Sequence, residues 1–304
     1  MGRVQGKVAF ITGAARGQGR SHALRLAEEG ADIIAIDLCK DIETIGYPMA
    51  TPEDLEETAD LVKKTGRGIL TAQADVREAA QLKRALDQGL AEFGKVDIVV
   101  AQAGIAGMKG TPPLQAWCDV INTNLIGTIN AIQVALPHLE EGASIIATGS
   151  TAALMDAHQK DNPGADPGGM SYMVAKRLLS NYVHDLATEL AVRGIRANVV
   201  HPTNCNTDML QSEPMYKSFR PDLERGANRA TAARSPGLAR LMGRAFDSRT
   251  PAKRALRALV PDRVAVALRH RLVRWNSRAS SMSASVAGEN GSPTARCARY
   301  ATKS

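Results

Sequence analysis

Tyr172 and Lys176 stand four residues apart in Tyr172-Met173-Val174-Ala175-Lys176, on a helix read from about Ser171 to Ala191. That spacing sets a phenol and an ammonium on one helical face, a turn apart. A free tyrosine holds its proton to a pKa of about 10. A fixed positive charge beside it favours the phenolate, so the hydroxyl can exchange a proton nearer neutrality. Two surface residues on a helix give the same pattern, and the pair alone does not decide between the readings. What stands upstream does. Ser150 closes the run Ser144-Ile145-Ile146-Ala147-Thr148-Gly149, at the C-terminal end of a strand, where open α/β sheets place their chemistry.

Near the N-terminus the apolar run Val8-Ala9-Phe10-Ile11 leads into Thr12-Gly13-Ala14-Ala15-Arg16-Gly17-Gln18-Gly19, and a helix follows through Ala27. Strand, glycine turn and helix in that order form a dinucleotide cradle. Gly13 makes the tight turn, Gly17 lets a pyrophosphate approach the backbone, and Gly19 allows helix to pack on strand. The helix N-terminus offers unpaired N–H groups to the phosphates. The second strand, Ile33 to Asp37, ends in an acid 18 residues after Gly19. A carboxylate there accepts from ribose hydroxyls and repels a 2′-phosphate, which favours NAD over NADP. Arg16 pulls the other way, since a loop arginine can meet that phosphate.

Further strands are expected over Ile69–Ala74, Asp97–Ala101, Ser144–Thr148 and Ile195–Val200. Helices are expected over about 53–65, 78–93 and 115–138, so strands and helices alternate as in a doubly wound, mostly parallel, Rossmann-like sheet. Residues 40–53 exceed an ordinary strand-to-helix connection. Their place beside Asp37 makes them either a flap over the adenosine end of the cofactor or an inert surface insertion. Thr51-Pro52-Glu53-Asp54 has the pattern of an N-cap and first turn.

With these pieces in order, the chain resembles the short-chain dehydrogenase/reductase family over about residues 5–224. The resemblance rests on the Thr12–Gly19 loop, Asp75-Val76, Ala103-Gly104, Asn124, Ser150, Tyr172, Lys176 and Pro202 through Thr207. The loop through His22, the insertion after Asp37 and His201-Pro202-Thr203-Asn204 are similar to the mycofactocin-coupled, carveol-dehydrogenase-like branch. The resemblance implies an NAD-dependent enzyme interconverting a secondary alcohol and a ketone. It also implies an NAD that stays bound and is reoxidised by an external partner, mycofactocin. Tyr172 would exchange the proton with the substrate oxygen, and Ser150 would hydrogen-bond that oxygen. Lys176 would lower the Tyr172 pKa and hold the nicotinamide ribose. Asn124 would position a water that links Lys176 to solvent. Cofactor contacts are implied for Gly13, Arg16, Gly17, Gln18, Gly19, Asp37, Asp75, Val76, Ala103, Gly104, Tyr172, Lys176, Pro202, Asn204 and Thr207. No metal is expected.

Some residues depart from the family pattern. Ser150 and Tyr172 are 22 apart, a gap widened by the Pro/Gly-rich stretch 161–169 that would lie at the substrate mouth. Gln102 stands where the family has Asn. His22, His158, His184 and His201 lack triad or metal spacing and read as packing or surface residues. Thr148-Gly149-Ser150-Thr151-Ala152 lacks the second glycine of a hydrolase nucleophile elbow.

The net charge of +7 conceals a division. Residues 1–224 carry 21 basic and 28 acidic side chains, whereas 225–304 carry 17 basic, 15 of them Arg, and 3 acidic. This marks a boundary near Glu224 between a catalytic domain (1–224) and an Arg/Ala/Ser-rich tail (225–304). The tail reads as partly helical or disordered and lacks the last strand the family carries. The favoured reading is a replaced C-terminus, as from a shifted frame. The alternatives are a basic appendage for nucleic acid or acidic membrane, or a segment covering the sheet edge. Nucleic acid is disfavoured, because the arginines are not interleaved with aromatics. A catalytically impaired cofactor-binding remnant is the competing reading of the whole chain. Four scattered cysteines (Cys39, Cys118, Cys205, Cys297), no signal pattern and no apolar run near 20 residues point to the cytoplasm, with no membrane span. A homo-oligomer is expected if the altered end permits one.

Overall fold

The apolar runs of the sequence become six short strands: β1 (Val8–Thr12), β2 (Asp32–Asp37), β3 (Ile69–Gln73), β4 (Ile98–Ala101), β5 (Ser144–Thr148) and β6 (Arg196–Val200). The structure is a computed structural model that describes residues 2–107, 113–154 and 167–215. Every pairing is parallel, in the order β3-β2-β1-β4-β5-β6. Strands covered on both faces read as continuous apolar stretches, and β1, β4 and β5 are buried at every position.

Alternate side chains of each strand enter opposite cores. Ala9, Ile11, Ile33, Ala35, Val100 and Ile146 pack against helices α1 (Gly17–Glu28) and α2 (Pro52–Lys63). Phe10, Ile34, Ile36, Val99 and Ile145 pack against α3 (Ala79–Phe93), α5 (Gly127–Ala135) and α6 (Pro167–Leu190). Each fully buried side chain of this size contributes about 2–3 kcal/mol of transfer free energy. The order reverses between β1 and β4. There the chain leaves neighbouring strands in opposite directions and opens a crevice at their C-terminal ends.

Three local features differ from the sequence expectation. The helix expected over 115–138 is interrupted. It runs as α4 (Pro113–Ile121), a π turn (Asn122–Ile126) and α5, and Pro137 closes it in a 3₁₀ turn. The wider π turn carries Asn124, and such bulges recur at functional sites. Second, α6 begins at Pro167, so the end of the expected 161–169 loop is helical. Residues 155–166, which take in the first part of that loop, and the tail with its boundary near Glu224 lie outside the described residues.

Third, residues 40–50 fold inward. Ile42, Ile45 and Tyr47 are buried in a small cluster with Ile105, Val120 and Ala175. The Tyr47 hydroxyl accepts from the Ala106 amide at 3.1 Å, and Arg16 donates to the Pro48 carbonyl at 2.5 Å. Thr44 Oγ1 donates to Asp119 Oδ2 at 2.6 Å, both residues being buried. The insertion is a fixed wall rather than a loose flap. It ends in the expected capping box: Asp54 N donates to Thr51 Oγ1 and Thr51 N to Asp54 Oδ2. Thr44→Val keeps the volume and removes one donor from a carboxylate that still holds Arg77 and Gln115. Denaturant unfolding should show a loss of about 2 kcal/mol; an unchanged midpoint would mean that the wall does not depend on this bond.

Candidate active site

The glycine loop after β1 is built by close approach. Gly13 has φ +67°, and a Cβ there would stand 2.8 Å from Ala103 Cα. A Cβ on Gly19 would lie 1.8 Å from the Gly13 carbonyl oxygen. The loops after β1 and β4 therefore meet at the switch point, with Ala103 and Gly104 as the facing backbone. Gly17 has φ +55° and faces the Thr207 methyl. Asp37, Asp75, Val76, Ala103 and Gly104 join this loop around a cavity of about 150 Å³, whose outer wall is Ile42, Tyr47 and Met49. A second cavity of about 370 Å³ shares Gln18, Gln102, Gly104, Thr207 and Met209 with the first. It is bounded by Ser150, Tyr172, Lys176, Pro202 and Asn204.

The lining fits a dinucleotide. Gln18 Oε1 and Thr123 Oγ1 are buried polar atoms with no protein partner, and both residues line the first cavity. Asp37 accepts from the Ala15 amide at 2.9 Å and from Cys39 N at 3.3 Å, which fixes its carboxylate at the end of β2. Arg16 is spoken for: it bonds Pro48 O and pairs with Asp208 at 3.2 Å. That commitment removes the argument it offered for a 2′-phosphate. Asp75 is held by Arg77 at 2.6 Å. Burial raises the Asp75 pKa, but the Arg77 contacts prevail and hold it below the ordinary carboxylate value. Val76 packs at the foot of the cavity, where a Cβ on Gly127 would strike it at 2.5 Å.

At the other cavity, α6 brings Tyr172 to the same wall as Ser150, near enough for the serine side chain to act on the phenol's pKa. Lys176, one turn along, is 3% exposed and donates from Nζ to the Thr148 carbonyl at 2.7 Å. Its Nζ lies 5.8 Å from the Tyr172 ring centre. Asn124 is fully buried, and its amide brackets Ile105: Nδ2 donates to Ile105 O and Oδ1 accepts from Ile105 N, both at 2.8 Å. The side chain is thus a clamp on the strand-4 loop.

The net shift of Tyr172 runs opposite to the expectation, and burial, not Lys176, sets its direction. Burial pushes the Tyr172 phenol above its ordinary value of 10, while the neighbouring Ser150 hydroxyl draws it back. Burial also brings Lys176 down to about 8. Helical spacing sets a positive charge beside the phenol; the fold also desolvates both groups and directs Nζ at a carbonyl. A lysine whose folded pKa lies below its unfolded one carries a penalty that is full below pH 8 and relieved as pH rises towards 10.5. Lys176→Met should therefore gain roughly 3 kcal/mol of folding stability at pH 7. That advantage should shrink as pH rises from 8 to 10. Unfolding curves of both proteins at the two pH values test this; a constant difference would overturn it.

Four contributors were given no role in the site by the sequence. Gln102 Oε1 accepts from Thr148 Oγ1 at 2.5 Å, and Gln102 also hydrogen-bonds the buried His22, whose pKa burial lowers to about 4. Thr123 offers the orphan hydroxyl, and Met209 lies in both cavity walls. His201 reaches the backbone of Ser150. Of these, Gln102 had a signal, its place before Ala103-Gly104. The others depend on three-dimensional neighbours. Among the described residues no cluster of His, Cys, Asp and Glu could hold a metal ion, and no helix is long and apolar enough to cross a membrane.

A parallel sheet with a glycine turn at its switch point and a Ser–Tyr–Lys wall beside it defines a dinucleotide-dependent oxidoreductase fold. The profile of the short chain dehydrogenase family matches residues 7–217, and the chain belongs to that family. It is 43% identical over 230 residues to the (-)-trans-carveol dehydrogenase of Rhodococcus erythropolis, covering 74% of this chain and 80% of the relative. It is 35% identical over 219 residues to the cyclohexanol dehydrogenase of a Rhodococcus species, covering 68% and 77%. The crystal structure of carveol dehydrogenase from Mycobacterium avium in complex with NAD superposes with a TM-score of 0.67 at 45% identity, over 74% of this chain and 80% of that one.

Proposed function

We propose that the protein is an NAD-dependent dehydrogenase that interconverts a secondary alcohol and its ketone, on alicyclic substrates of the carveol or cyclohexanol kind. The observation that carries this is that Ser150, Tyr172 and Lys176 line one wall of the larger cavity, the last two a helical turn apart. NAD, when bound, supplies the carbon that takes or gives the hydride. Gly13, Gly17 and Gly19 bring backbone N–H groups to its phosphates, and Gln18 and Thr123 offer unpaired polar atoms. Asp37 receives the adenosine ribose, and Asp75 with Val76 the adenine edge. Lys176 and Tyr172 hold the nicotinamide ribose, with Ala103, Gly104, Pro202, Asn204 and Thr207 lining the cavity walls around the cofactor. Tyr172 Oη exchanges a proton with the substrate oxygen while Ser150 Oγ orients that oxygen. Lys176, charged below about pH 8, favours the phenolate. Asn124 keeps the strand-4 loop in place, and its π-turn backbone carries the water that renews the proton.

The inward-folded 40–50 wall supports an NAD that is retained through turnover and reoxidised by an external redox partner of the mycofactocin type. Residues 1–224 form the catalytic domain in this reading, and 225–304 a tail replacing the family's usual end, in a cytoplasmic protein. The test is direct. Purified protein is heat-denatured and the supernatant assayed for NAD, then turnover of carveol and cyclohexanol is followed with an artificial redox dye. NAD in the supernatant with dye reduction is expected. NAD without turnover of any secondary alcohol would leave the impaired cofactor-binding remnant in its place. NAD that exchanges freely would remove the retention step alone.

A further inference from the structure

His201 follows β6, and its ring meets Ser150, the second residue past the end of β5. Nδ1 lies 2.9 Å from the Ser150 carbonyl oxygen and 3.3 Å from the Ser150 amide nitrogen. The β5–β6 ladder continues on either side of this contact. Gly149 N donates to Val200 O at 2.8 Å, and Thr151 N donates to Pro202 O at 2.9 Å. Between those two bonds an imidazole stands in for a backbone partner. The ring fits because residue 149 is glycine; a Cβ there would lie 2.7 Å from His201 Nδ1.

One ring nitrogen cannot donate and accept along its lone axis at once. With its hydrogen, Nδ1 donates to Ser150 O; without it, Nδ1 accepts from Ser150 N. The shorter distance favours the first; either bond holds one of the two peptides that flank the Ser150 Cα. Ser150 Oγ is thereby set at the phenol of Tyr172 by a bond on its own main chain. Its hydroxyl also accepts from Ala152 N at 3.1 Å, which holds χ1 but not the peptide.

We propose that His201 is a positioning residue: through Nδ1 it locks the Ser150 peptide, and so the place at which the substrate oxygen is held. This rests on the reading of Ser150 and Tyr172 as the alcohol–ketone site. A ring that only filled space would be replaceable by any side chain of its volume. A ring that acts through Nδ1 is replaceable by Asn, whose amide nitrogen sits near that point, and not by Gln or Leu.

The experiment compares full-length wild type with His201→Leu, His201→Gln and His201→Asn, each purified with its own NAD. Turnover of carveol or cyclohexanol with a redox dye is measured beside hydrogen–deuterium exchange of the 144–154 segment. Leu and Gln should lower kcat about 10- to 100-fold, the scale of a small misplacement at a reacting centre. Their KM and NAD content should stay near wild type, and exchange should quicken at Gly149 and Thr151, whose amides bond Val200 O and Pro202 O on either side of the ring. Asn should restore both rate and protection to within a few-fold. A Leu variant at the wild-type rate, or an Asn variant no better than Leu, would overturn the proposal. Should Leu fail to fold, the Gln and Asn pair decides it. If wild type turns over no secondary alcohol, the proposed function falls, and exchange alone then decides whether Nδ1 holds Ser150.

Discussion

Tyr172→Phe is expected to cut turnover of a secondary alcohol by about 10³-fold, within the range for a lost general acid–base group, while the protein still carries its NAD. The ring is half of what Tyr172 does. It packs beside Ile105, Ala175, Met209 and Leu210, and Phe preserves all of that. Only the oxygen goes, and with it the hydroxyl that faces the cavity beside Ser150. Ser150 Oγ keeps its bond from Ala152 N, so the neighbouring loop should hold its shape. A proton-transfer role also fixes the pH behaviour. Oxidation needs the phenolate, and burial raises the phenol's pKa, so the wild-type rate should climb with pH through and above neutrality. The residual rate of the Phe variant should lose that slope. Turnover above a tenth of wild type, or an unchanged pH profile, would take the acid–base role from Tyr172.

Much of this arrangement could be read along the chain, and for identifiable reasons. Strands buried on both faces, such as Val8–Ile11 and Ser144–Thr148, carry their signal in consecutive residues. The glycine turn, Asp37 and the Tyr172–Lys176 pair are likewise local patterns whose spacing implies geometry. The Thr51 capping box sits within four residues and was equally legible. What escaped depends on partners far apart in sequence. Arg16 looked free for a phosphate until the fold supplied Pro48 and Asp208. The 40–50 insertion looked detachable because its anchors, Ala106 and Asp119, lie about 60 and 75 residues away. The sign of the Tyr172 shift was misjudged for the same reason: charge proximity follows from helical spacing, whereas desolvation follows from what covers both groups. The π turn at Asn122–Ile126 has no periodic signature, since it adds one residue to an otherwise helical pattern.

Gly19→Ala is expected to empty the protein of NAD, and the reason is space rather than backbone conformation. Gly19 has no positive φ, so alanine would be tolerated there by torsion alone. Its Cβ, however, would stand 1.8 Å from the Gly13 oxygen, 2.7 Å from the Gly13 carbonyl carbon and 3.0 Å from Ala14 Cα. All three are main-chain atoms of the turn that must cradle the phosphates. None can swing aside, so the first turn of α1 must move away from β1. That displacement costs about 1–3 kcal/mol as overpacking. It also spoils the alignment of the N–H groups on which the cradle depends. A sound control is Gly142→Ala. Its φ of +86° makes the substitution strained, yet nothing lies within 4 Å of the added carbon. There the penalty is about 1–2 kcal/mol of backbone strain, with NAD content unchanged. Absorbance of heat-denatured supernatants, read beside the unfolding midpoint, separates the two effects. NAD at the wild-type ratio in Gly19→Ala would mean that the turn between β1 and α1 is not where the cofactor's phosphates are held.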